Sequence, residues 1–266
     1  MQRPQWVLVK EGYRVTKRFM RDGMRLPTPV WQRWLAWLAG GWLATLLFLL
    51  LLIWLTQTLL ATGLLSEARE GRWLQWIIDL APIQFSDAVW LSAPGDITII
   101  VPIIIAAAVA AVRARNPILG LTLFLSYFLI SAIVLVGWLV WDRPRPELVA
   151  NGIAAPDFHS FPSGHIAQSI TVYGFFCYLW LRRSQRRSEK LFGLLLLGVW
   201  LGNIALTRLV LGAHWPSDLA AGALLGCFWL GVLIVTLRRT ETHVDIAQAP
   251  VTLAERFSQT GNVVSE

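Results

Sequence analysis

Long runs of apolar residues, separated by short polar segments, dominate this sequence of 266 residues. Crossing the roughly 30 Å hydrocarbon core of a bilayer takes about 20 residues of α-helix. A helix satisfies its own backbone N–H and C=O groups, which is why it can span lipid. Six runs reach or approach this length, at residues 34–58, 97–112, 118–141, 164–181, 191–211 and 216–237. The pattern predicts an all-α, polytopic membrane protein with six transmembrane helices.

The composition supports this prediction and sets the domain limits. The chain is 56% hydrophobic and 15% charged, whereas soluble domains carry about 25% charged residues. We therefore expect one six-span domain at residues 34–238, a basic N-terminal arm at 1–33 and a polar tail at 239–266. The arm lacks the apolar stretch of a cleavable signal peptide, so the first span is expected to stay as an anchor.

The distribution of basic residues predicts the orientation. Of the 23 lysines and arginines, 18 lie in segments that six spans place on the same side as the termini. Cytoplasmic segments near membrane spans collect lysine and arginine. Both termini are therefore predicted to be cytoplasmic, in the plasma or inner membrane. The basic arm is either a topology signal alone or also attracted to anionic lipid headgroups.

The loop between the first two runs contains a second kind of helix. One face carries Trp73, Trp76, Ile77 and Leu80, whereas Arg69, Arg72 and Asp79 lie off it. This spacing predicts an amphipathic helix lying in the headgroup layer. The two cysteines, Cys177 and Cys227, both fall inside predicted spans, so neither a disulfide framework nor a thiol metal site is indicated.

The segment RLVLGAHWPSD places Arg208, His214 and Asp218 around the start of the sixth span. If this segment is helical, His214 and Asp218 share a face, and the carboxylate can take one imidazole proton and leave the other nitrogen as a nucleophile or base. The alternative is an acidic residue that only stabilises the helix N-terminus, beside a histidine in the headgroup layer.

Two further polar stretches lie on the same predicted face. In PSGH, Ser163 and Gly164 form a turn into a helix whose unbonded N–H groups can hold an anion, and His165 projects from its first turn. Ser163 as a helix N-cap is compatible with this. In DRPRP, Arg143 and Arg145 follow the third span, and arginine binds phosphate in a fork. Together the stretches describe a site for a phosphate undergoing transfer.

The order RPRP, PSGH, then Arg-x5-His-x3-Asp resembles the type 2 phosphatidic acid phosphatase family, which shares its site with vanadium haloperoxidases. The resemblance covers residues 138–218. It implies that His214 attacks phosphorus and forms a phosphohistidine, oriented by Asp218. It also implies that His165 protonates the leaving oxygen and then activates water. The phosphate oxygens would be held by Arg145, Arg208, Ser163 and Gly164, without a metal or other cofactor.

One departure concerns a cation. The family pattern has lysine seven residues before the arginine of the Arg-Pro pair, where this chain has Trp138. Arg143 could replace that lysine at the phosphate, the substrate could differ, or catalysis could be weaker. Thr207, where the family usually has serine, keeps the hydroxyl.

The function that follows is a metal-independent membrane phosphatase acting on a lipid phosphate or diphosphate, of the phosphatidic acid or polyprenyl pyrophosphate type, at the non-cytoplasmic surface. Its partners would be the lipid substrate and membrane lipids, with no nucleic acid. The alternatives are a lipid phosphotransferase of the same family and a membrane protein that binds phospholipid without turnover. A transporter is disfavoured because the spans hold few polar residues, chiefly Gln168 and Asn203.

Overall fold

The computed structural model describes residues 4–81, 83–146 and 160–248, which form α-helices joined by short turns. In chain order the helices are α1 (Pro4–Met24), α2 (Thr28–Ala61), α3 (Glu67–Leu80), α4 (Phe85–Ser92), α5 (Ile97–Arg113), α6 (Pro117–Val140), α7 (Gly164–Leu181), α8 (Arg187–Val210) and α9 (Pro216–Gln248). A 3₁₀ turn at Ala93–Gly95 separates α4 from α5. No strand occurs in the described residues, so the all-α prediction is confirmed.

Each predicted span coincides with a helix, namely α2 and α5 to α9. In the described part of the chain, five helical segments are long and apolar enough to cross a membrane: Thr28–Ala61, Phe85–Arg113, Pro117–Val140, Arg187–Val210 and Pro216–Glu241. Helix α7 is not among these five segments, and it packs against α6, α8 and α9. Its polar side chains are thereby shielded by protein rather than placed against lipid.

The predicted boundaries differ from the helix ends where a helix continues into polar sequence. The arm predicted at residues 1–33 contains α1 and the start of α2. Helix α9 continues past the predicted end of the sixth span to Gln248, and the rest of the predicted tail lies outside the described residues. A helix bonds its own backbone in water as well as in lipid, so the loss of hydrophobicity did not mark its end. Helix α4, absent from the prediction, extends the apolar segment of α5 toward the N-terminus.

Helices α7 and α9 approach so closely that their backbones touch. A Cβ atom on Gly222 would lie 2.5 Å from the carbonyl oxygen of Ser163, and one on Gly226 would lie 2.7 Å from that of Ala167. Small residues four apart permit this kind of approach between membrane helices. The contact brings the start of α7 beside the start of α9, and therefore joins two of the polar motifs.

The two ends of the bundle carry different groups. At one end, Arg18 of α1 donates to the carbonyl of Arg113 at the end of α5 (3.2 Å), and Arg182 after α7 pairs with Glu241 of α9 (2.8 Å). At the other end lie the starts of α5, α7 and α9 and the ends of α6 and α8. The predicted basic segments thus share one end, and the three polar motifs share the opposite one.

Candidate active site

His214 lies in the turn between α8 and α9 and is 2% exposed. The turn follows Gly212, whose φ of 64° places it in the left-handed region that favours glycine after a helix end. The His214 Nδ1 donates to the carbonyl oxygen of Ser160 over 2.8 Å. A carbonyl can only accept, so the hydrogen sits on Nδ1 and the lone pair on Nε2. The imidazole is thereby fixed with one nitrogen ready to react.

The structure does not support the prediction that Asp218 fixes the tautomer of His214. Helix α9 begins at Pro216, so His214 precedes it and the helical spacing of four does not apply. The Asp218 Oδ2 lies 3.8 Å from His214 Nδ1 and instead accepts the backbone N–H of Trp215 at 2.8 Å. This is the position from which an acidic side chain caps a helix start. The Ser160 carbonyl, rather than Asp218, sets the tautomer.

The protonation state of His214 follows from its surroundings. Burial lowers the pKa of His214 to about 4, the positive charges of Arg208 and Arg145 act in the same direction, and Asp218 opposes them. An ordinary histidine has a pKa of about 6.5. His214 is therefore neutral at pH 7, which is the state that a nucleophile requires.

Arg143 forms the centre of a buried ionic network. Its Nη1 donates to Asp218 Oδ1 and to Ser217 Oγ, each at 2.6 Å, and its Nη2 donates to Glu70 Oε2 at 2.5 Å. The guanidinium also lies 5.5 Å and 5.4 Å from the ring centroids of Trp141 and Trp215. Both terminal nitrogens are thus committed to carboxylates. These contacts do not support the expectation that Arg143 binds phosphate or replaces the family lysine.

Glu70 is a site residue that the sequence analysis missed. It is fully buried on α3, and its Oε1 accepts the backbone N–H of Ser217 at 2.9 Å. The signal was present in the pattern, because Glu70 shares a helix face with Leu74 and Ile78, opposite the exposed Trp73 and Trp76. An acidic residue on an apolar face indicates a buried partner.

The PSGH turn is held differently from the prediction. The N–H of Ser163 donates to the Asp218 carbonyl at 3.1 Å, so it does not point at an anion. Ser163 is the N-cap residue of α7, but its side chain makes no capping bond, and within the described residues its buried Oγ has no hydrogen-bond partner. The available donors at this turn are therefore the Ser163 hydroxyl and the first-turn N–H groups of α7, which have no intrahelical acceptor.

Trp138 has a structural role at the position of the family lysine. Its Nε1 donates to the Pro162 carbonyl at 3.2 Å. A Cβ on Gly164 would lie 3.3 Å from the Trp138 ring and 3.2 Å from Val134. Gly164 therefore lets α6 pack closely on the start of α7, and the indole holds the turn through the Pro162 carbonyl.

His165 is held by a carboxylate that the motifs did not include. Its Nε2 lies 2.8 Å from Asp96 Oδ1, and its side chain is 25% exposed. Asp96 occupies the N-cap position of α5 yet makes no side-chain capping bond. The sequence signal, an acidic residue just before an apolar run, is typical of a cap, and this explains why its role was missed.

Two arginines supply positive charge to the site. Arg208 is 6% exposed, and in the part of the chain that the structure describes its Nε has no hydrogen-bond partner. Arg145 donates to the carbonyl of Ala213, next to His214. Burial lowers the pKa of Arg145, and Asp218 opposes the change, but guanidinium stays charged at neutral pH. Both arginines lie near enough to both histidines for electrostatic interaction.

The fold and the site define a class, a helical membrane protein whose polar end gathers two histidines and two arginines. Comparison with known proteins finds that residues 118–241 match the PAP2 superfamily. The chain carries a PAP2 superfamily domain, which confirms the resemblance to type 2 phosphatidic acid phosphatases. All the predicted site residues lie in this range, whereas Glu70 and Asp96 lie before it.

Two relatives are informative. The chain is 33% identical over 103 residues to a lipid A 1-phosphatase of Rhizobium johnstonii, a match that spans 39% of this chain and 38% of the relative. A solved transmembrane PAP2-type phosphatidylglycerolphosphate phosphatase from Bacillus subtilis superposes with a TM-score of 0.60. That superposition covers 75% of this chain and 96% of the other at 19% identity, so it establishes a shared fold. The apolar helices and the fold shared with a transmembrane protein indicate an integral membrane protein.

Proposed function

We propose that this protein is a membrane phosphatase that hydrolyses phosphate esters of lipids through a phosphohistidine on His214. One observation carries the proposal. Arg208 is a buried cation that forms no salt bridge among the described residues, and it lies near two histidines that are each fixed by one ring nitrogen. A buried charge without a partner is costly, and a phosphate at this point would neutralise it.

In the first step the Nε2 lone pair of His214 attacks phosphorus in line. The P–N bond forms as the bond between phosphorus and the lipid oxygen breaks, and His165 gives that oxygen a proton. Arg145, Arg208, the Ser163 hydroxyl and the first-turn N–H groups of α7, beginning at Gly164, hold the equatorial oxygens, whose charge grows in the transition state. No step requires a metal ion or another cofactor.

In the second step His165, now neutral, takes a proton from water. The hydroxide attacks phosphorus, the P–N bond breaks, and inorganic phosphate leaves with the imidazole of His214 restored. Asp218 and Arg143 act on this cycle indirectly, since both hold the turn that carries His214. An acceptor alcohol in place of water would make the same chemistry a phosphotransfer.

The orientation completes the proposal. The basic segments and the termini would face the cytoplasm, with α2 and α5 to α9 as six spans and the site at the opposite surface. There a lipid can present a hydrated phosphate while its chains stay in the bilayer. Substrates of this form include phosphatidic acid, polyprenyl pyrophosphate, phosphatidylglycerolphosphate and the 1-phosphate of lipid A.

The first experiment is phosphate release by the purified protein in detergent with EDTA, across those four lipids. We expect release from at least one, inhibition by vanadate, and an acid-labile phosphoprotein that His214→Asn abolishes. His243→Ala, on the C-terminal part of α9, is the matched histidine control and should retain activity. Binding of these lipids without release, in the wild type and in His214→Asn alike, would replace the phosphatase with a lipid-binding protein.

A further inference from the structure

Asp96 lies outside the family match, yet it makes the closest polar contact to the acid–base histidine. Its Oδ1 is 2.8 Å from His165 Nε2, whereas the family match begins at residue 118. A carboxylate at a helix start normally bonds the first-turn N–H groups. The Asp96 side chain makes no such bond. The carboxylate bonds His165 instead of the first turn of its own helix.

The chain around Asp96 is built to hold this contact. The 3₁₀ turn Ala93–Gly95 breaks the apolar segment between α4 and α5, and it packs on α7 at two points. A Cβ on Gly95 would lie 3.0 Å from His165 Cδ2, and Tyr173, two helical turns further along α7, donates its hydroxyl to the Pro94 carbonyl at 2.7 Å. The turn therefore follows the surface of α7 closely and fixes the start of α5 beside the imidazole.

The geometry assigns Asp96 as a positioning residue that orients His165 and stabilises its protonated form. An ionised carboxylate accepts the Nε2–H, which leaves Nδ1 as the nitrogen that exchanges a proton with the substrate. The assignment rests on the proposed function for its catalytic meaning. The Asp96 side chain is 41% exposed, so it remains hydrated enough to stay ionised.

The other charged and titratable groups around His165 act in a known direction. Arg208 on α8 and Arg145 before α7 both lie near it and disfavour a second positive charge. Tyr127 on α6 lies within electrostatic reach of Asp96. Asp96 is thus the group that offsets the two arginines, which are themselves needed for the phosphate. Without it, the cations that hold the substrate would also oppose the protonation of the acid.

The kinetic test compares Asp96→Asn with Asp96→Glu and with Asp87→Asn, an exposed carboxylate on the neighbouring α4. For Asp96→Asn we expect kcat to fall on the order of 100-fold, within the range of general acid–base catalysis. The alkaline limb of the kcat profile should move to lower pH, because the imidazolium has lost its counter-charge. Asp96→Glu should keep that limb near its wild-type position, and Asp87→Asn should match the wild type.

A comparison of esters with different leaving groups separates a positioning role of Asp96 from a structural one. A nitrophenyl phosphate ester leaves without an acid, so in Asp96→Asn its first step should be nearly normal, while phosphohistidine accumulates because water is no longer activated. An equal loss for both kinds of ester, with an unmoved pH limb, would overturn the assignment.

A measurement without substrate keeps this test apart from the proposed function. In protein labelled with ¹⁵N-histidine, His165 should show the Nε2–H tautomer in the wild type and lose that preference in Asp96→Asn, with His165→Asn identifying the signal. A wild-type His165 protonated on Nδ1 alone would overturn the assignment, whether or not the protein releases phosphate. The expected tautomer in a protein that releases none would support the contact and refute only the phosphatase.

Discussion

The two histidines of the site sit in contrasting surroundings. His214 is fully enclosed and bonds a neutral backbone carbonyl, that of Ser160, whereas His165 is partly exposed and bonds the carboxylate of Asp96. A neutral partner with burial favours the uncharged ring, and an anionic partner favours the charged one. In the proposed mechanism the first setting suits a nucleophile, and the second supplies the counter-charge that a protonated acid needs. The difference lies in the group that each imidazole bonds, a backbone carbonyl for His214 and a carboxylate for His165.

The largest test of this contrast removes each histidine in turn. His214→Asn should reduce turnover by about 10⁵-fold or more, since loss of a nucleophile removes the covalent path. His165→Asn should cost about 10²- to 10⁴-fold, the usual contribution of a general acid or base. The two variants should also differ in kind: rapid quenching with a nitrophenyl ester should trap phosphoprotein in His165→Asn and none in His214→Asn. Trapping in both would mean that another residue is the nucleophile.

The shared cation is the next test. Arg208→Lys keeps the charge but loses the fork, and we expect a fall of about 10²- to 10³-fold in kcat/KM, as for loss of one donor to a transition-state oxygen. Vanadate inhibition should weaken in parallel, because the anion binds the same group. Arg182→Lys, at the opposite end of the bundle, is the matched control and should change neither value.

The buried network that supports His214 should give a smaller effect on activity and a larger one on stability. Glu70→Gln leaves Arg143 with one carboxylate, and breaking a buried pair costs about 3–5 kcal/mol. A cost of this size corresponds to a drop in the melting midpoint of about 10 °C, with activity reduced about tenfold through the displaced turn. Glu67→Gln, exposed one turn earlier on α3, should melt within about 2 °C of the wild type. Equal midpoints for the two variants would show that the Glu70 contact carries no stability.

A change of pH tests the comparison between the two histidines without any change to the protein. Because the pKa of His214 is lowered to about 4, its nucleophilic form persists as pH falls below 6 and is lost only near 4. The acid limb of kcat/KM, which reports the free enzyme, should therefore lie near pH 4 rather than near the ordinary value of about 6.5. A limb at the ordinary value would mean that water reaches His214.

The sequence predicts features that depend on local patterns, and it does not predict contacts between residues far apart along the chain. Apolar runs located α2 and α5 to α9, and the motif order located both histidines, Arg145 and Arg208, because these signals are local. Glu70 and Asp96 were missed because their partners lie far along the chain: Ser217 is 147 residues from Glu70, and His165 is 69 residues from Asp96. Local patterns describe Asp96 as a helix cap, and they show Glu70 as an acidic residue on an apolar face without identifying its partner. Only the packing of α3 and α5 against the motifs gives them other partners.

The expectation for the Ser163 N–H was wrong for a related reason. It was interpreted from its own segment, as an anion-binding group. In the folded chain the Ser163 N–H and the Asp218 carbonyl bond each other, since α7 and α9 begin side by side. A pattern within one segment does not show which of its hydrogen-bond donors and acceptors are bonded by another segment.

The contact of α7 with α9 at Gly222 and Gly226 has a consequence for mutational tolerance. The distance between these two helices sets the distance between His165 on α7 and His214 before α9, so a single added methyl group would move the two histidines apart. A scan of every position should therefore find these glycines, which hold no proton and touch no substrate, as intolerant of change as the histidines themselves. In this protein the spacing of the two histidines depends on two positions that have no side chain.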